Sequence, residues 1–263
     1  MCLLVLAWRC HPRHRVVVAA NRDEFHARPS LPLASWPDLP GVTGGRDLQA
    51  SGAWFAVDQR RRFGIVTNFR EFGRHRRSAP SRGGLIPAYL GSTQGPGDAL
   101  RTLETDAPGF AGFNLLLGDE NSLWYASNRA DTFARELPPG IYGLSNEFLD
   151  TPWPKLVRVR TKFARLLEST GVDDHAALVP ALMDLLADRE PASPESLPPG
   201  DLSPEWARKL SAPFVLDPEY GTRCSTVLTI GNDGELTMVE RRFDADGRET
   251  GQSEHLLNAA AGP

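Results

Sequence analysis

The residue best suited to nucleophilic chemistry stands at position 2. Cys2 follows Met1, and methionine aminopeptidases remove an initiator methionine when a small residue follows it. We therefore expect the mature chain to begin with a thiol beside a free α-amino group. Because such an amine has a pKa of about 8, part of it is neutral at pH 7 and can accept the thiol proton while the thiolate attacks. In the alternative interpretation, Cys2 is a small apolar residue that begins a strand.

A polar cluster after the second apolar run of the chain contains the charges that would activate a thiol. Asn21-Arg22-Asp23-Glu24 comes directly after residues 16–20. If residues 3–8 and 16–20 form a hairpin, the far ends of the two strands meet and Cys2 lies beside this cluster. An arginine there would lower the thiol pKa, and a carboxylate could hold an α-ammonium or orient the arginine. The alternative is a solvated turn in which Asn21 and Asp23 cap the residues that follow.

Apolar and β-branched runs predict four hairpins as the elements that position these residues. Their strands span residues 3–8 with 16–20, 54–58 with 63–68, 113–117 with 123–127, and 226–230 with 236–242. Apolar residues at helical spacing predict helices over 156–167 and 175–186. Hairpins at both ends of the chain, with helices between them, favour an α+β fold with antiparallel sheets. Since no linker separates two self-sufficient patterns, residues 1–263 are predicted to form a single domain.

Composition excludes several classes of protein. Hydrophobic residues make up 41% of the 263 residues and charged residues 24%, as in ordinary globular proteins. The net charge of −4 argues against a nucleic-acid partner. The apolar run at 3–8 lacks a basic leader, and no stretch reaches the roughly 18 apolar residues of a membrane helix, so no transmembrane segment is expected. Three scattered cysteines favour a reducing compartment, and the cytoplasm is the predicted location.

The order of short motifs along the chain resembles the NRDE family, which is named for the tetrapeptide at positions 21–24. The matching pieces run almost from end to end. They are Met1-Cys2, Ala19-Ala20-Asn21-Arg22-Asp23-Glu24-Phe25, Arg28-Pro29, Gly52-Ala53-Trp54, Thr67-Asn68, Arg82-Gly83, Gly112-Phe113-Asn114-Leu115, Tyr142-Gly143-Leu144-Ser145-Asn146, Thr151-Pro152-Trp153-Pro154-Lys155 and Tyr220-Gly221-Thr222-Arg223.

The NRDE family in turn resembles the N-terminal-nucleophile hydrolases, especially the choloylglycine hydrolase and penicillin V acylase group. This resemblance implies a four-layer αββα sandwich, in which two antiparallel sheets pack face to face between layers of helices. It also implies a catalytic set, carried over position by position onto this sequence. That set consists of Cys2 as nucleophile with Arg22, Asp23, Asn68, Asn146 and Arg223.

Each of the other implied site residues has a chemical use and an ordinary structural alternative. A side-chain amide such as that of Asn68 or Asn146 can donate to a developing oxyanion, although asparagine is also common before loops and turns. Arg223 opens an otherwise apolar strand and needs a partner if it is buried. Arg22 and Asp23 are adjacent, whereas the hydrolase group spaces its arginine and aspartate by two residues. Because adjacent strand residues point to opposite faces, only one of the two is expected to line the site while the strand continues.

Two function classes follow from the resemblance. The first is a cysteine hydrolase that acts on a linear amide or related acyl bond and requires no cofactor. The second is a non-catalytic carrier or chaperone of haem or lipid, with haem as the carried ligand. In the first class the partner is a small acyl or amide substrate, and Cys2 must be the terminal residue. A carrier has no such requirement.

The remaining features are weaker signals. A basic run within 70–82 is typical of a solvated loop, although it could steer an acidic ligand. Cys10, His11 and His14 lack a distant second set of ligands, so no metal site is predicted. Cys224 lies within a strand and is predicted to be a core residue. The proline-rich residues 191–213 are predicted to form an ordered surface loop or lid.

Overall fold

The computed structural model describes residues 2–71, 79–169, 175–197 and 202–259. These residues contain thirteen strands. The strands are β1 (Cys2–Trp8), β2 (His14–Phe25), β3 (Ser30–Ser35), β4 (Val42–Asp47), β5 (Gly52–Asp58), β6 (Phe63–Asn68), β7 (Phe113–Gly118), β8 (Leu123–Ser127), β9 (Ala134–Glu136), β10 (Gly140–Leu144), β11 (Tyr220–Gly231), β12 (Leu236–Phe243) and β13 (Glu249–Leu257).

Five α-helices are found in the same residues. They are α1 (Leu85–Leu90), α2 (Pro96–Glu104), α3 (Pro154–Glu168), α4 (His175–Leu186) and α5 (Pro204–Lys209). All eight predicted strands and both predicted helices fall within these elements, and the four predicted hairpins pair as expected. Within the described residues, no helix combines the length and apolar character that crossing a membrane requires.

The chain divides into two compact units, each built on one antiparallel sheet. The first, here called the terminal unit, comprises Met1–Ala27, Pro139–Ser145 and Leu149–Pro263. The second, called the central unit, comprises Arg28–Pro138 and Asn146–Phe148. The single-domain organisation stays a prediction.

The terminal unit contains a six-stranded sheet in the order β10-β1-β2-β11-β12-β13. Helices α3 and α4 cover one face of this sheet, where Leu156, Val159 and Phe163 pack against apolar residues of β1 and β2. These three side chains recur at helical spacing, which is why this stretch forms an amphipathic helix. Strand β2 is twelve residues long and pairs on both sides, so its end lies at the middle of the sheet.

The central unit contains a seven-stranded sheet in which β3 to β9 follow one another in chain order. Helices α1 and α2 pack on this sheet through Ile86, Tyr89 and Leu100. Gly64 in β6 permits the close approach of α1, because a Cβ atom there would lie 2.9 Å from Cγ2 of Ile86. Each strand pairs with the next one along the chain, and residues 69–112 between β6 and β7 contain α1 and α2.

A buried ion pair fixes α1 to this sheet. Nε of Arg62 lies 2.8 Å from Oδ2 of Asp58, and both side chains are less than 8% exposed. The same guanidinium donates to the carbonyl oxygen of Leu90, at 2.5 Å, and to that of Tyr89, at 3.3 Å. Arg62 therefore satisfies carbonyl groups at the C-terminal end of α1 that the helix itself leaves unpaired.

Replacing Arg62 with leucine is expected to lower the free energy of unfolding by about 3–5 kcal/mol, because it leaves the carboxylate of Asp58 buried without its main counter-ion. Urea denaturation of the two proteins measures this difference. Arg101→Leu is the matched control, since its pair with Asp98 is exposed and should change stability by less than about 1 kcal/mol. Similar losses for the two variants would contradict this assignment.

Candidate active site

Cys2 begins β1 directly opposite Arg22 of β2, and Arg22 in turn lies opposite Cys224 of β11. Directly opposed residues of antiparallel strands share a face of the sheet. The structure therefore brings Cys2 and Arg22 together, as the predicted hairpin requires, and places Cys224 on the far side of the arginine. Arg22 is only 6% exposed, so its charge is held in the sheet rather than in solvent.

The polar cluster is not a solvated turn. Asn21, Arg22 and Asp23 are buried and continue β2. Nδ2 of Asn21 donates to the carbonyl oxygens of Leu186 and Pro213, at 2.9 and 3.0 Å. These bonds fix the end of α4 to the sheet and place the Asn21 side chain on the helix-covered face. The alternative interpretation of this tetrapeptide as an exposed turn is wrong, because Asn21, Arg22 and Asp23 are buried within a continuing strand.

Asp23 lies on the helix-covered face, opposite Thr222 of β11. Its Oδ1 accepts a hydrogen bond of 2.7 Å from Oγ1 of Thr222, and its carbonyl oxygen accepts one of 2.9 Å from the Tyr220 hydroxyl. Burial raises the pKa of the Asp23 carboxyl, and the positive charge of Lys155 is the largest of the effects that oppose this rise. As expected from their adjacency, Arg22 shares the face of Cys2, whereas the Asp23 side chain points to the other face.

The Cys2 thiol is not pre-ionised. Burial raises its pKa above the ordinary value, and the negative charge of Asp23 raises it further. The main-chain N–H of Asp23, which donates to the sulfur, and the charge of Arg22 act in the opposite direction. Since the net shift is upward, the thiol is protonated at pH 7 and needs a base before it can attack.

Arg223 lies in a β-bulge, since the register between β11 and β2 shifts between Thr222 and Cys224. The extra residue of a bulge is re-aimed relative to the strand, which frees this side chain from the alternation of faces. Nη1 of Arg223 donates to the carbonyl oxygens of Phe25 and His26, at 2.9 and 3.2 Å. Burial and the nearby charge of Arg22 lower the pKa of its guanidinium, which places the two arginines in one neighbourhood.

Three further residues surround Cys2 and Asp23 in the terminal unit and were not predicted as site residues. Oγ of Ser145 donates to the carbonyl oxygen of Cys2 at 2.9 Å, while Thr222 and Lys155 act on the Asp23 carboxylate. Each of the three stands inside a motif shared with the NRDE family. Their position in the shared motifs was the sequence feature that could have identified them, because neither a serine after a strand nor a lysine in a helix is unusual by itself.

Asn68 and Asn146 belong to the central unit, where they are in contact. Nδ2 of Asn146 donates to the carbonyl oxygen of Asn68 at 2.7 Å, and the main-chain N–H of Arg70 donates to the carbonyl oxygen of Asn146 at 2.6 Å. The neighbouring carbonyl of Glu147 accepts a bond of 2.9 Å from Nδ2 of Asn114, a fully buried residue of β7. This network fixes the backbone that carries Asn146, and Asn114 is a further residue that sequence reasoning missed.

Some predicted features lie outside the described residues. These are Met1, residues 198–201 of the proline-rich segment and, in the basic run, Arg74, His75, Arg76 and Arg77. At the end of that run, Nη1 of Arg82 donates to the carbonyl oxygen of Gly112 at 3.0 Å. The structure describes all three cysteines of the sequence, and none of them forms a disulfide. Cys224 is buried in β11, as predicted for a core residue.

The terminal unit also contains a cavity of about 880 Å³ between α5 and the residues on either side of it. Its lining is mainly apolar and includes Leu202, Ala212, Phe214 and Leu216. Arg208, an exposed residue, adds a positive charge to the lining. None of the six predicted catalytic residues lines this cavity.

Comparison with solved structures identifies the fold. The Caenorhabditis elegans ortholog of N-acylethanolamine-hydrolyzing acid amidase superposes with a TM-score of 0.52, over 86% of this chain and 92% of that protein. The sequence identity is 11%, so the likeness concerns the fold alone. The predicted α+β fold of the N-terminal-nucleophile hydrolase type, with its large antiparallel sheets and few helices, is confirmed.

Sequence comparisons agree with the motifs. The Transport and Golgi organization 2 homolog of Mus musculus is 30% identical over 278 residues, which is 98% of this chain and 100% of the relative. The corresponding protein of Bos taurus is 31% identical over 257 residues, or 92% of each chain. The family model described as Transport and Golgi organisation 2 matches residues 1–245. The chain therefore belongs to the Transport and Golgi organisation 2 family.

Proposed function

We propose that this protein is a cysteine hydrolase of the N-terminal-nucleophile type, which cleaves a linear amide or related acyl bond. The observation that carries the proposal is the position of Cys2. It lies opposite Arg22, and its sulfur accepts a hydrogen bond from the main-chain N–H of Asp23. In this proposal Met1 is removed, Cys2 becomes the first residue, and the reaction requires no cofactor. The proposed setting is the cytoplasm, where cysteines that form no disulfide are stable.

The raised pKa of the thiol supports a mechanism in which attack and proton transfer occur together. The α-amino group of Cys2, with a pKa of about 8, accepts the thiol proton as the sulfur bonds to the carbonyl carbon. The charge of Arg22 favours the developing thiolate. Collapse of the tetrahedral intermediate expels the amine, which takes that proton, and leaves a thioester on Cys2. Water then hydrolyses the thioester and releases the acid.

The oxyanion of the tetrahedral intermediate needs hydrogen-bond donors that are fixed before the reaction. Asn146 is the proposed side-chain donor, because its backbone is held by Arg70 and its neighbour Glu147 by Asn114. In the chain it directly follows Ser145, whose hydroxyl is bonded to the carbonyl oxygen of Cys2. The amide of Asn68 and the guanidinium of Arg223 complete the proposed set.

Intact-mass measurement after incubation with an acyl electrophile tests this proposal. Protein from the native host is expected to lack one methionine and to gain one acyl group, which peptide mapping places on Cys2. Cys10→Ser should still gain the adduct, whereas Cys2→Ser should not. Retention of Met1 throughout the sample would exclude the α-amino group of Cys2 as the base.

The apolar cavity favours a second candidate function, a carrier of haem or lipid. Its volume of about 880 Å³ lies within the range of ligand pockets, about 300–1,000 Å³, and its lining combines apolar walls with a cation. In this proposal an amphiphilic ligand is carried and not cleaved, so Cys2 has no catalytic role. Titration of wild type and Cys2→Ser with haem, beside a panel of amide substrates, separates the two functions. Tight binding to both proteins without any acyl adduct would favour the carrier.

A further inference from the structure

We propose that Lys155 and Thr222 are positioning residues that act on the Cys2 thiol through Asp23. The inference rests on the proposed function in treating Cys2 as the reacting group. It goes beyond that function by assigning a buried charge relay that crosses the sheet of the terminal unit.

Asp23 connects the two faces of this sheet. Its main-chain N–H donates to the sulfur of Cys2, while its carboxylate is on the opposite, helix-covered face and accepts from Thr222. The residue is 2% exposed, and its carbonyl oxygen is fixed by the Tyr220 hydroxyl. One fixed residue therefore contacts the sulfur through its amide and carries a negative charge on the other face of the sheet.

Lys155 is a buried cation at the start of a helix. It is the second residue of α3, 4% exposed, in a helix that packs against β1. A cation is disfavoured in the first turn of a helix, because the helix dipole is positive there. A buried ammonium is also costly unless an opposite charge compensates it. Asp23 supplies that charge, since Lys155 exerts the largest lowering effect on the pKa of its carboxyl.

Charged and polar groups act on Asp23 from both faces of the sheet. Lys155 of α3 and Thr222 of β11 act on its carboxylate on the helix-covered face, and Cys2 of β1 and the adjacent Arg22 lie on the other face. Lys155 keeps the Asp23 carboxyl ionised and balances its charge, so in Lys155→Met the carboxylate that is ionised at alkaline pH acts on the thiol without that balance. The thiolate is then harder to form, so Cys2 should react more slowly at a given pH. If Asp23 is replaced by asparagine, Lys155 can no longer act on the thiol through the charge of a carboxylate.

The test measures the rate at which iodoacetamide alkylates Cys2, between pH 7 and 10, in the full chain with the exposed Cys10 replaced by serine. Lys155→Met is expected to slow alkylation of Cys2 at pH 8.5 at least fivefold, and Lys155→Arg to restore most of the rate. In an Asp23→Asn background, Lys155→Met should change the rate less than twofold. An unchanged rate in Lys155→Met, or an equal slowing in both backgrounds, would overturn the proposal.

Two controls separate positioning from a loss of structure. Buried Cys224 should remain as slowly alkylated in the variants as in the parent, whereas a loosened fold would expose it. If Lys155→Met does not fold, Thr222→Val removes the hydrogen bond to Asp23 and keeps both charges. It should slow alkylation of Cys2 at least twofold, and Thr222→Ser should restore the rate. Because alkylation needs no turnover, a protein that shows this coupling but cleaves no substrate would refute the proposed function and leave the relay standing.

Discussion

Replacing Cys2 with serine is expected to lower kcat/KM for an amide substrate about 10³-fold or more. A serine hydroxyl is a much poorer nucleophile than a thiol at neutral pH, and the α-amino group would have to remove a proton from a far weaker acid. Substrate affinity should change little, because the substitution removes no apolar contact. Steady-state kinetics and calorimetric titration of the inactive variant measure the two quantities.

Cys10→Ser is the matched control for this experiment. Cys10 is exposed at the end of the first hairpin, so its replacement should leave turnover unchanged. A Cys2→Ser protein that retains wild-type turnover would show that Cys2 is not the nucleophile. A protein that shows no turnover before or after the change, and binds haem or lipid equally well in both forms, would support the carrier function instead.

Replacing Asn146 with alanine is expected to lower kcat by about 10²–10³-fold, the usual loss for one side-chain donor to an oxyanion. KM should change less than kcat, since this bond forms mainly in the transition state. The substitution also removes the bond of 2.7 Å to the carbonyl oxygen of Asn68, so the stability of the variant is measured in parallel.

Asn121→Ala provides the comparison for this variant. Asn121 lies exposed in the turn between β7 and β8, and its replacement should alter neither stability nor turnover. A loss in kcat of less than tenfold in Asn146→Ala, with the fold intact, would remove Asn146 from the oxyanion site. The remaining donor would then have to come from a main-chain amide or from Asn68.

Most of the hairpins could be predicted because their strands carry strong local signals. Strand β1 is a nearly continuous apolar run, and the turn Asn232-Asp233-Gly234 leads into β12. Strands β4 and β13 escaped prediction for opposite reasons. A Cβ at Gly45 in β4 would lie 2.0 Å from the Trp54 ring, so packing demands a residue that weakens the strand pattern. The edge strand β13 is largely polar and exposed, and it forms because β12 offers it a partner.

Only those contacts of the candidate site that lie within one hairpin could be predicted from the sequence. The pairing of Cys2 with Arg22 follows from one hairpin, which the sequence pattern indicates. The contributions of Thr222 and Lys155 depend on β11 and α3, which approach Asp23 from distant parts of the chain. The bulge at Arg223 is invisible in the pattern, because a single inserted residue changes the face of a side chain without changing the composition of the strand.

The environment of the Cys2 thiol forms only after β2 has paired with β11 during folding. Asp23 and Thr222 are 199 residues apart, whereas the hairpins on either side of this seam close over short loops. Hairpins form within microseconds, but contacts across such a separation bear a large loop-closure entropy and form late. A chain still emerging from the ribosome therefore carries Cys2 as an ordinary thiol. The surroundings of the thiol are complete only after β2 has paired with β11, so the alkylation rate of Cys2 also reports this step of folding.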